Sequence, residues 1–218
     1  MLTLGAGIAI AFIIIAVSNV IGSRANLTRA RHIVRLLEAT FRPEEAQYSR
    51  VGRNNGYHFL YETGPAFGLV EGTVTFLPRD SLFYLPFALL ARRKDQLRIV
   101  MKSESTPPGQ GRIVEAHRLQ SGWLPFEEGE HLNPTSKTQD GRRFLLLWYN
   151  PIVRDWLADT VERMPDVSLL HQIAYNGTDH TFLIEIEPRR ETLSRTLEFF
   201  VSCVASFSER RTSRTACL

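Results

Sequence analysis

The side chains that could act together in chemistry are concentrated in one polar stretch near the middle of the chain. Imidazole and carboxylate groups bind divalent metal ions and serve as general acids and bases. Three glutamates lie in the loop at residues 122–141, and one histidine lies on each side of them. The five residues are His117, Glu127, Glu128, Glu130 and His131. Their spacing fits no zinc-binding pattern, so solvated loop charges are the simpler interpretation. The alternative is a small-ligand or catalytic site that uses this polar loop.

The rest of the chain matches no catalytic or cofactor-binding pattern. It has no phosphate-binding loop with its lysine, no nucleophile elbow and no zinc-binding histidine pair on a helix. Gly109 and Gly111 lack the third glycine of a dinucleotide-binding turn and are interpreted as loop residues. His171 and His180 are expected to lie near each other on the solvated face of a hairpin. The sequence therefore predicts no catalytic residue, no cofactor, no metal ion and no enzymatic activity.

The basic residues are almost all arginine, which makes bidentate contacts with phosphate and carboxylate groups. Only Lys94, Lys102 and Lys137 are lysines among 26 basic residues, and the formal net charge is +3. A GC-rich genome would produce the same bias without any function. Four arginine pairs are spread along the chain, at 92–93, 142–143, 189–190 and 210–211. They are either solvated or in contact with lipid phosphate or ribosomal RNA, and without an aromatic stacking motif they do not predict DNA binding.

The N-terminal segment differs from the rest of the chain, because its first 23 residues have no charged side chain. Residues 2–21 read LTLGAGIAIAFIIIAVSNVI, and a helix of that length covers about 30 Å, the hydrocarbon thickness of a bilayer. We therefore predict a transmembrane anchor over residues 1–23. A cleaved secretory signal, with the small residues 16–18 at its cleavage site, and a buried core helix are the alternatives.

The charges that follow this stretch determine its expected orientation. Arg24, Arg29, Arg31 and Arg35 come next, against the single acid Glu38, and such positive residues stay on the cytoplasmic side of a membrane. We expect a single-pass membrane protein with its N-terminus outside and its C-terminal domain in the cytoplasm. Two cysteines are too few for a disulfide framework, which suits a reducing compartment.

Hydrophobic periodicity predicts an α+β domain over residues 24–212, with mixed helices and an antiparallel sheet, and a disordered tail over 213–218. Apolar residues three or four apart predict helices at 26–41, 151–163 and 189–211. Alternating apolar residues predict strands at 69–77 and 97–103, with 112–118 as a further candidate strand, and the apolar run at 144–148 predicts a short buried strand. Turn signals between such runs predict hairpins at 47–53 with 57–62 and at 167–175 with 181–187. Residues 122–141 are predicted to form a long surface loop.

One predicted helix, residues 81–93 with Asp80 as its cap, contains an uncharged run of ten residues. This run, LFYLPFALLA at 82–91, is followed at once by three basic residues. The helix is either buried on the sheet, or interfacial with its basic end on lipid phosphates, or an apolar cover for a client's membrane helix. The candidate contact residues for a membrane or a partner are Leu82, Phe83, Leu85, Phe87, Leu89, Arg92, Arg93 and Lys94, with Arg24, Arg29 and Arg31 beside the anchor.

Three stretches give the chain a resemblance to a known family: SRVGRNNG at 49–56, LVEGTVTFLPRDSLFYLPFALLARRKDQLRIVMKSE at 69–104 and VSLLHQIAYNGTDHTFLIEIEP at 167–188. The chain resembles the calumin family, single-pass endoplasmic reticulum proteins of the PAT (protein associated with translocon) complex. The resemblance implies a cytosolic α+β domain on one membrane helix. The family's acidic lumenal, calcium-binding segment and its Lys-rich C-terminal coil have no counterpart in this sequence, so it is expected to be a short form.

The resemblance also implies a non-enzymatic partner of the protein-conducting channel that helps polytopic proteins insert. We therefore expect a membrane scaffold or chaperone-like factor at the insertion machinery. Its expected partners are the lipid bilayer, the protein-conducting channel, the ribosome and polytopic client proteins. The alternative is a membrane-tethered enzyme or ligand-binding domain that uses the loop at 122–141.

Overall fold

The computed structural model describes residues 2–52, 55–64, 67–104, 106–116 and 132–209, with the side chains of 2–9 and 11 left outside the description. In these residues four α-helices accompany a nine-stranded sheet. The helices are α1 (Leu2–Phe41), α2 (Tyr84–Leu90), α3 (Pro151–Arg163) and α4 (Leu193–Glu209). The strands are β1 (Glu45–Arg50), β2 (Gly56–Glu62), β3 (Leu69–Thr75), β4 (Gln96–Lys102), β5 (Gln110–Glu115), β6 (Asn133–Gln139), β7 (Arg142–Trp148), β8 (Leu170–Asn176) and β9 (Thr181–Ile186).

The sheet is antiparallel throughout, with strand order β1-β2-β3-β4-β9-β8-β5-β7-β6. This confirms the predicted class, a mixture of helices and antiparallel strands. The register pairs Thr75 with Gln96 and Leu97 with Ile186 at one end of the sheet. We call this the α2 end, because α2 connects β3 to β4 there. The far end carries Lys102 and Thr181, which are paired in the register.

The strands with clean alternation were correctly predicted from the sequence. On β4, Leu97, Ile99 and Met101 are fully buried, and on β3 the inward positions include Val70 and Val74. Side chains of a strand point to opposite faces in turn, so this pattern places one face of the sheet in the core. The core face is covered by the second half of α1, by α4 and by α3.

Helix α3 spans Pro151–Arg163, the same bounds that the sequence predicted. The side chain of Asn150 caps the helix by accepting the backbone N–H of Val153 at 2.9 Å. Pro151 occupies the first turn, where its missing N–H costs nothing. On the inner side Trp156 packs on Phe207 of α4, with ring centroids 4.8 Å apart, and lies edge-on to Phe182 at 5.5 Å.

Two local predictions about the sheet were wrong. Residues Asn133–Gln139, assigned to the loop at 122–141, form the edge strand β6. This strand contains Pro134 and is exposed along most of its length, which an edge strand tolerates and a central strand does not. His171 and His180 are also not neighbours. His171 lies at a bulge near the start of β8, whereas His180 is in the β8–β9 turn at the far end, 2.8 Å from the Thr106 hydroxyl.

Helix α1 is continuous from Leu2 to Phe41, so it crosses the predicted boundary between anchor and domain at residues 23 and 24 without a break. It ends at Arg42, which adopts a left-handed φ of 46° and donates its N–H to the carbonyl of Glu38 at 2.8 Å. Pro43 then prevents continuation. Among the residues whose side chains the structure describes, a set that leaves out 2–9 and 11 of α1, no helix is long and apolar enough to cross a membrane.

Three tyrosines form a cluster between α1 and the first hairpin. The Tyr48 hydroxyl donates to Glu38 Oε1 at 2.6 Å and lies 2.8 Å from the Tyr61 hydroxyl. Tyr57 is buried, and its hydroxyl has no hydrogen-bond partner among the described residues. Burial raises the pKa of all three phenols, that of Tyr61 to about 12.

This cluster predicts a loss of stability at alkaline pH. In the unfolded chain these phenols ionise near pH 10, whereas the fold keeps them protonated to higher pH. Their contribution is therefore complete below about pH 10 and is lost as the pH rises towards about 12, the pKa of folded Tyr61. Urea unfolding of the full chain in detergent between pH 8 and 11.5 measures this. Tyr57→Phe should flatten the decline, and an identical decline in that variant would contradict the assignment.

Candidate functional site

Helix α2 is apolar and lies exposed on the surface. Ala88 is its one buried residue, at 2% exposure, whereas Phe87 is 67% and Leu90 80% exposed. Leu82, Phe83, Tyr84 and Leu89 are exposed as well, and Leu85 is partly buried. The interpretation that this helix is buried on the sheet is therefore wrong. A contiguous set of large apolar side chains at the surface marks an interaction site more often than chance exposure does.

Helix α2 is shorter than the sequence predicted, and its ends explain why. Its first turn is supported by Ser81, whose hydroxyl accepts the N–H of Tyr84 at 3.2 Å, and Asp80 is not the cap. At the other end Arg93 donates its N–H to the Ala88 carbonyl, and Arg92 donates to the Leu89 carbonyl, both at 2.9 Å. This pair of bonds is a Schellman motif, which ends a helix in a left-handed residue. That residue is Arg92, with a φ of 51°.

The segment before α2 packs directly on α1. A Cβ added at Gly22 of α1 would lie 1.9 Å from the carbonyl oxygen of Arg79, so only glycine fits there. One turn further on, the Asn26 amide donates to the Leu77 carbonyl at 3.0 Å and accepts from the Arg79 guanidinium at 2.9 Å. These contacts place α2 beside α1 at the point where its uncharged N-terminal half ends.

A buried carboxylate, Asp95, bonds both to α1 and to the segment before α2. Asp95 is 7% exposed and accepts both terminal nitrogens of Arg79 at 2.8 Å, one on each oxygen. It also accepts Arg29 of α1 at 3.1 Å and the backbone N–H of Leu77 at 2.8 Å. One side chain therefore joins α1, the segment before α2 and the start of β4. Sequence reasoning missed Asp95, although it is the one acid directly after three basic residues.

The close approach at Gly22 leads to a testable prediction. Gly22→Ala should destabilise the full chain by about 1–3 kcal/mol, because the added methyl group forces the backbone at Arg79 away from α1. The measurement is the midpoint of urea unfolding in detergent. Gly68→Ala is the matched control, since a Cβ there meets nothing within 4 Å. Equal midpoints for the two variants would show that α1 and the segment before α2 are not in contact.

A strongly basic groove runs from α2 along α1. It consists of two adjoining cavities of about 650 and 640 Å³ that share Arg29, Asp95, Pro188 and Arg190. Nine cationic side chains line it against three acidic ones, although the whole chain has a net charge of only +3. The cationic residues are Arg29, Arg31, Arg35, Arg79, Arg92, Arg93, Lys94, Arg189 and Arg190, and the acidic ones are Asp95, Glu187 and Glu191. We call this set the arginine groove.

Some of the predicted contact residues and arginine pairs line the arginine groove, and others lie elsewhere in the chain. Arg92, Arg93 and Lys94 line the arginine groove with Arg29 and Arg31, and the pair 189–190 joins them, whereas Arg24 is exposed outside its lining. The pair 142–143 has a different role, because Arg142 forms an ion pair with Glu115 and donates to backbone carbonyls. The pair 210–211 lies outside the described residues.

Within the groove, Lys94 and Glu187 form an ion pair with a distance of 2.7 Å. Burial raises the pKa of the Glu187 carboxyl, but hydrogen bonds from Lys94 and Arg189 outweigh it, so the pKa lies below the usual range. Glu187 is therefore ionised at neutral pH and neutralises part of the groove beside Lys94. The excess positive charge remains around Arg92 and Arg190.

The polar loop that suggested metal or catalytic chemistry is not tested by the structure. His117, His131 and the glutamates between them lie outside the described residues. Across the residues that the structure does describe, no group of three or more His, Cys, Asp or Glu side chains is placed to hold a metal ion.

Comparison with known proteins leaves the family open. No protein-family model matches the chain, and no curated protein matches it. Among solved structures, the crystal structure of the mycobacterial trehalose monomycolate transport factor A, TtfA, is similar over 73% of this chain and 70% of that chain. The sequence identity is 10% and the TM-score is 0.32, too low to support an argument. The resemblance to the calumin family stays a prediction.

Proposed function

We propose that the protein is a single-pass membrane protein whose α+β domain lies against the cytoplasmic face of the bilayer and serves as a non-enzymatic scaffold for other membrane proteins. The first half of α1 is the anchor, and α2 is a second, interfacial contact. The observation that carries this proposal is the exposure of Phe87 and Leu90 on α2 next to the end of the uncharged part of α1.

The physical argument starts from the position of α2. The carbonyl of Asp80, just before α2, accepts the side chain of Asn19, within the segment predicted as the anchor. If residues 2–21 cross a bilayer, α2 lies at the level where that helix leaves the lipid. Its apolar side chains can then enter the acyl region, while the exposed Arg92 and Arg93 at its C-terminal end contact lipid phosphates.

Fluorescence from a label on α2 tests the interfacial contact. Cys203 and Cys217 are replaced by Ala and Ser, and an environment-sensitive fluorophore is attached through Phe87→Cys in the full chain, reconstituted in phosphatidylcholine vesicles. We expect blue-shifted emission that doxyl-labelled lipids quench. A label through Tyr149→Cys is the control, because Tyr149 is 63% exposed and follows β7 at the far end of the sheet. Indistinguishable emission at the two sites would refute interfacial seating of α2.

The anchor has its own test. The full chain should remain in the membrane after alkaline extraction, and its mature N-terminus should still contain residues 1–18. Arg24, Arg29 and Arg31 should be accessible to protease only from the cytoplasmic side. A mature chain that begins near residue 19 would establish the cleaved secretory signal instead.

The scaffold role is tested through its partners. The calumin resemblance suggests that the membrane-protein insertion machinery should be examined first. We expect crosslinking in native membranes, through a photoreactive residue at Leu89, to capture integral membrane proteins reproducibly. Capture of lipid alone would reduce the proposal to membrane attachment, without a scaffold role.

A further inference from the structure

We propose that the arginine groove binds the phosphate of an anionic phospholipid headgroup, next to the point where α2 meets the bilayer. This inference rests on the proposed function, because it requires the α2 end of the sheet to face the membrane. It goes further by assigning a site and a lipid class. Interfacial seating of α2 by apolar contact alone would not distinguish anionic from zwitterionic lipids.

The charge distribution within the groove supports an anionic ligand. Asp95 forms ion pairs with Arg79 and Arg29, and Glu187 forms ion pairs with Lys94 and Arg189. Arg92 and Arg190, however, form no ion pair with any described residue, and both are exposed. A guanidinium binds a phosphate through two parallel N–H···O bonds, so unpaired arginines in one groove are suited to that group.

The backbone at Arg92 is a second, independent observation. Arg92 occupies the left-handed position of the Schellman motif, with a φ of 51°, where glycine is strongly preferred because it has no Cβ. An arginine there makes the helix end less stable than glycine would. Strained backbone of this kind occurs more often at functional sites than elsewhere, and Arg92 lines the groove.

A buried polar atom lies at the other side of the groove. His32 of α1 lines the first cavity, and its buried Nε2 makes no hydrogen bond to any described residue. A phosphate or glycerol oxygen in that cavity would supply the missing partner. Each cavity, at about 640 Å³ or more, has room for a phosphoglycerol group.

The test is calorimetric titration of the full chain in dodecyl maltoside with dihexanoyl phosphatidylglycerol, dihexanoyl phosphatidylcholine and inorganic phosphate. We expect phosphatidylglycerol to bind at least about tenfold more tightly than either of the others, because it supplies both the charge and the glycerol backbone. Equal affinity for the two lipids would overturn the proposal. Inorganic phosphate as tight as phosphatidylglycerol would show a free-phosphate site and overturn the lipid assignment.

Arginine variants separate binding from folding. Arg92→Gly combined with Arg190→Gln should weaken phosphatidylglycerol binding about tenfold or more, while the glycine leaves unfolding unchanged or raises its midpoint. Arg98→Gln with Arg143→Gln removes the same charge from exposed sites outside the groove and should leave the affinity unchanged. Equal losses in both pairs would show unspecific charge attraction and refute the site. Because the titration contains no bilayer, its result is independent of the fluorescence test of α2.

Discussion

Replacing Asp95 with asparagine is expected to destabilise the protein by about 3 kcal/mol, as happens when one partner of a buried ion pair is removed. Asparagine keeps an oxygen that can accept the Leu77 N–H, but it loses the charge that holds the guanidinium groups of Arg79 and Arg29. The Arg79 side chain is only 18% exposed, so it cannot recover full hydration without moving. The measurement is the free energy of urea unfolding of the full chain in detergent.

The same substitution should release the segment before α2 from α1. Hydrogen exchange of residues 77–93 should accelerate in Asp95→Asn, whereas exchange in β4 and β9 should stay slow. Asp155→Asn is the matched control, because its ion pair with Arg154 is solvent-exposed and such pairs contribute at most about 1 kcal/mol. If both variants unfolded at the same urea concentration, Asp95 would not be the residue that fastens α2 to α1.

The parts of the fold that sequence predicted well are those in which each segment carries its own pattern. Strand β4 has Leu97, Ile99 and Met101 at every second position, and α3 combines apolar spacing with a capping Asn150 and Pro151. In such segments the local sequence and the tertiary environment favour the same conformation. Strand β6 lacks any apolar alternation because it lies at the edge of the sheet, and it was therefore missed.

The candidate site was only partly predictable, because its decisive contacts are distant in sequence. An uncharged segment such as LFYLPFALLA is compatible with a buried helix or an exposed one, and periodicity alone cannot separate them. The exposed interpretation is decided by the fact that Ala88 is the one fully buried side chain of α2. The sequence around Asp95 likewise predicts a surface acid among basic residues. Its partners Arg79 and Arg29 are 16 and 66 positions away, and only the structure identifies them.

The largest functional effect is expected from Phe87→Asp combined with Leu90→Asp on α2. Both side chains are largely exposed, so the free energy of unfolding should change by no more than about 0.5 kcal/mol. Burying a Phe or Leu side chain in an apolar medium contributes about 1.5–3 kcal/mol. Losing both should therefore shift the equilibrium of α2 between lipid and water by about a hundredfold or more.

A fluorophore attached through Phe83→Cys reports this shift in phosphatidylcholine vesicles, because residue 83 adjoins α2 and is itself 69% exposed. In the double variant its emission should move to that of a label in water, and quenching by doxyl lipids should disappear. Tyr149→Asp with Ile152→Asp adds the same charges at the far end of the sheet, on residues that are also exposed, and should leave the signal unchanged. If the signal survives both pairs of substitutions, Phe87 and Leu90 do not hold α2 in the bilayer, and the proposed apolar contact through these two side chains is wrong.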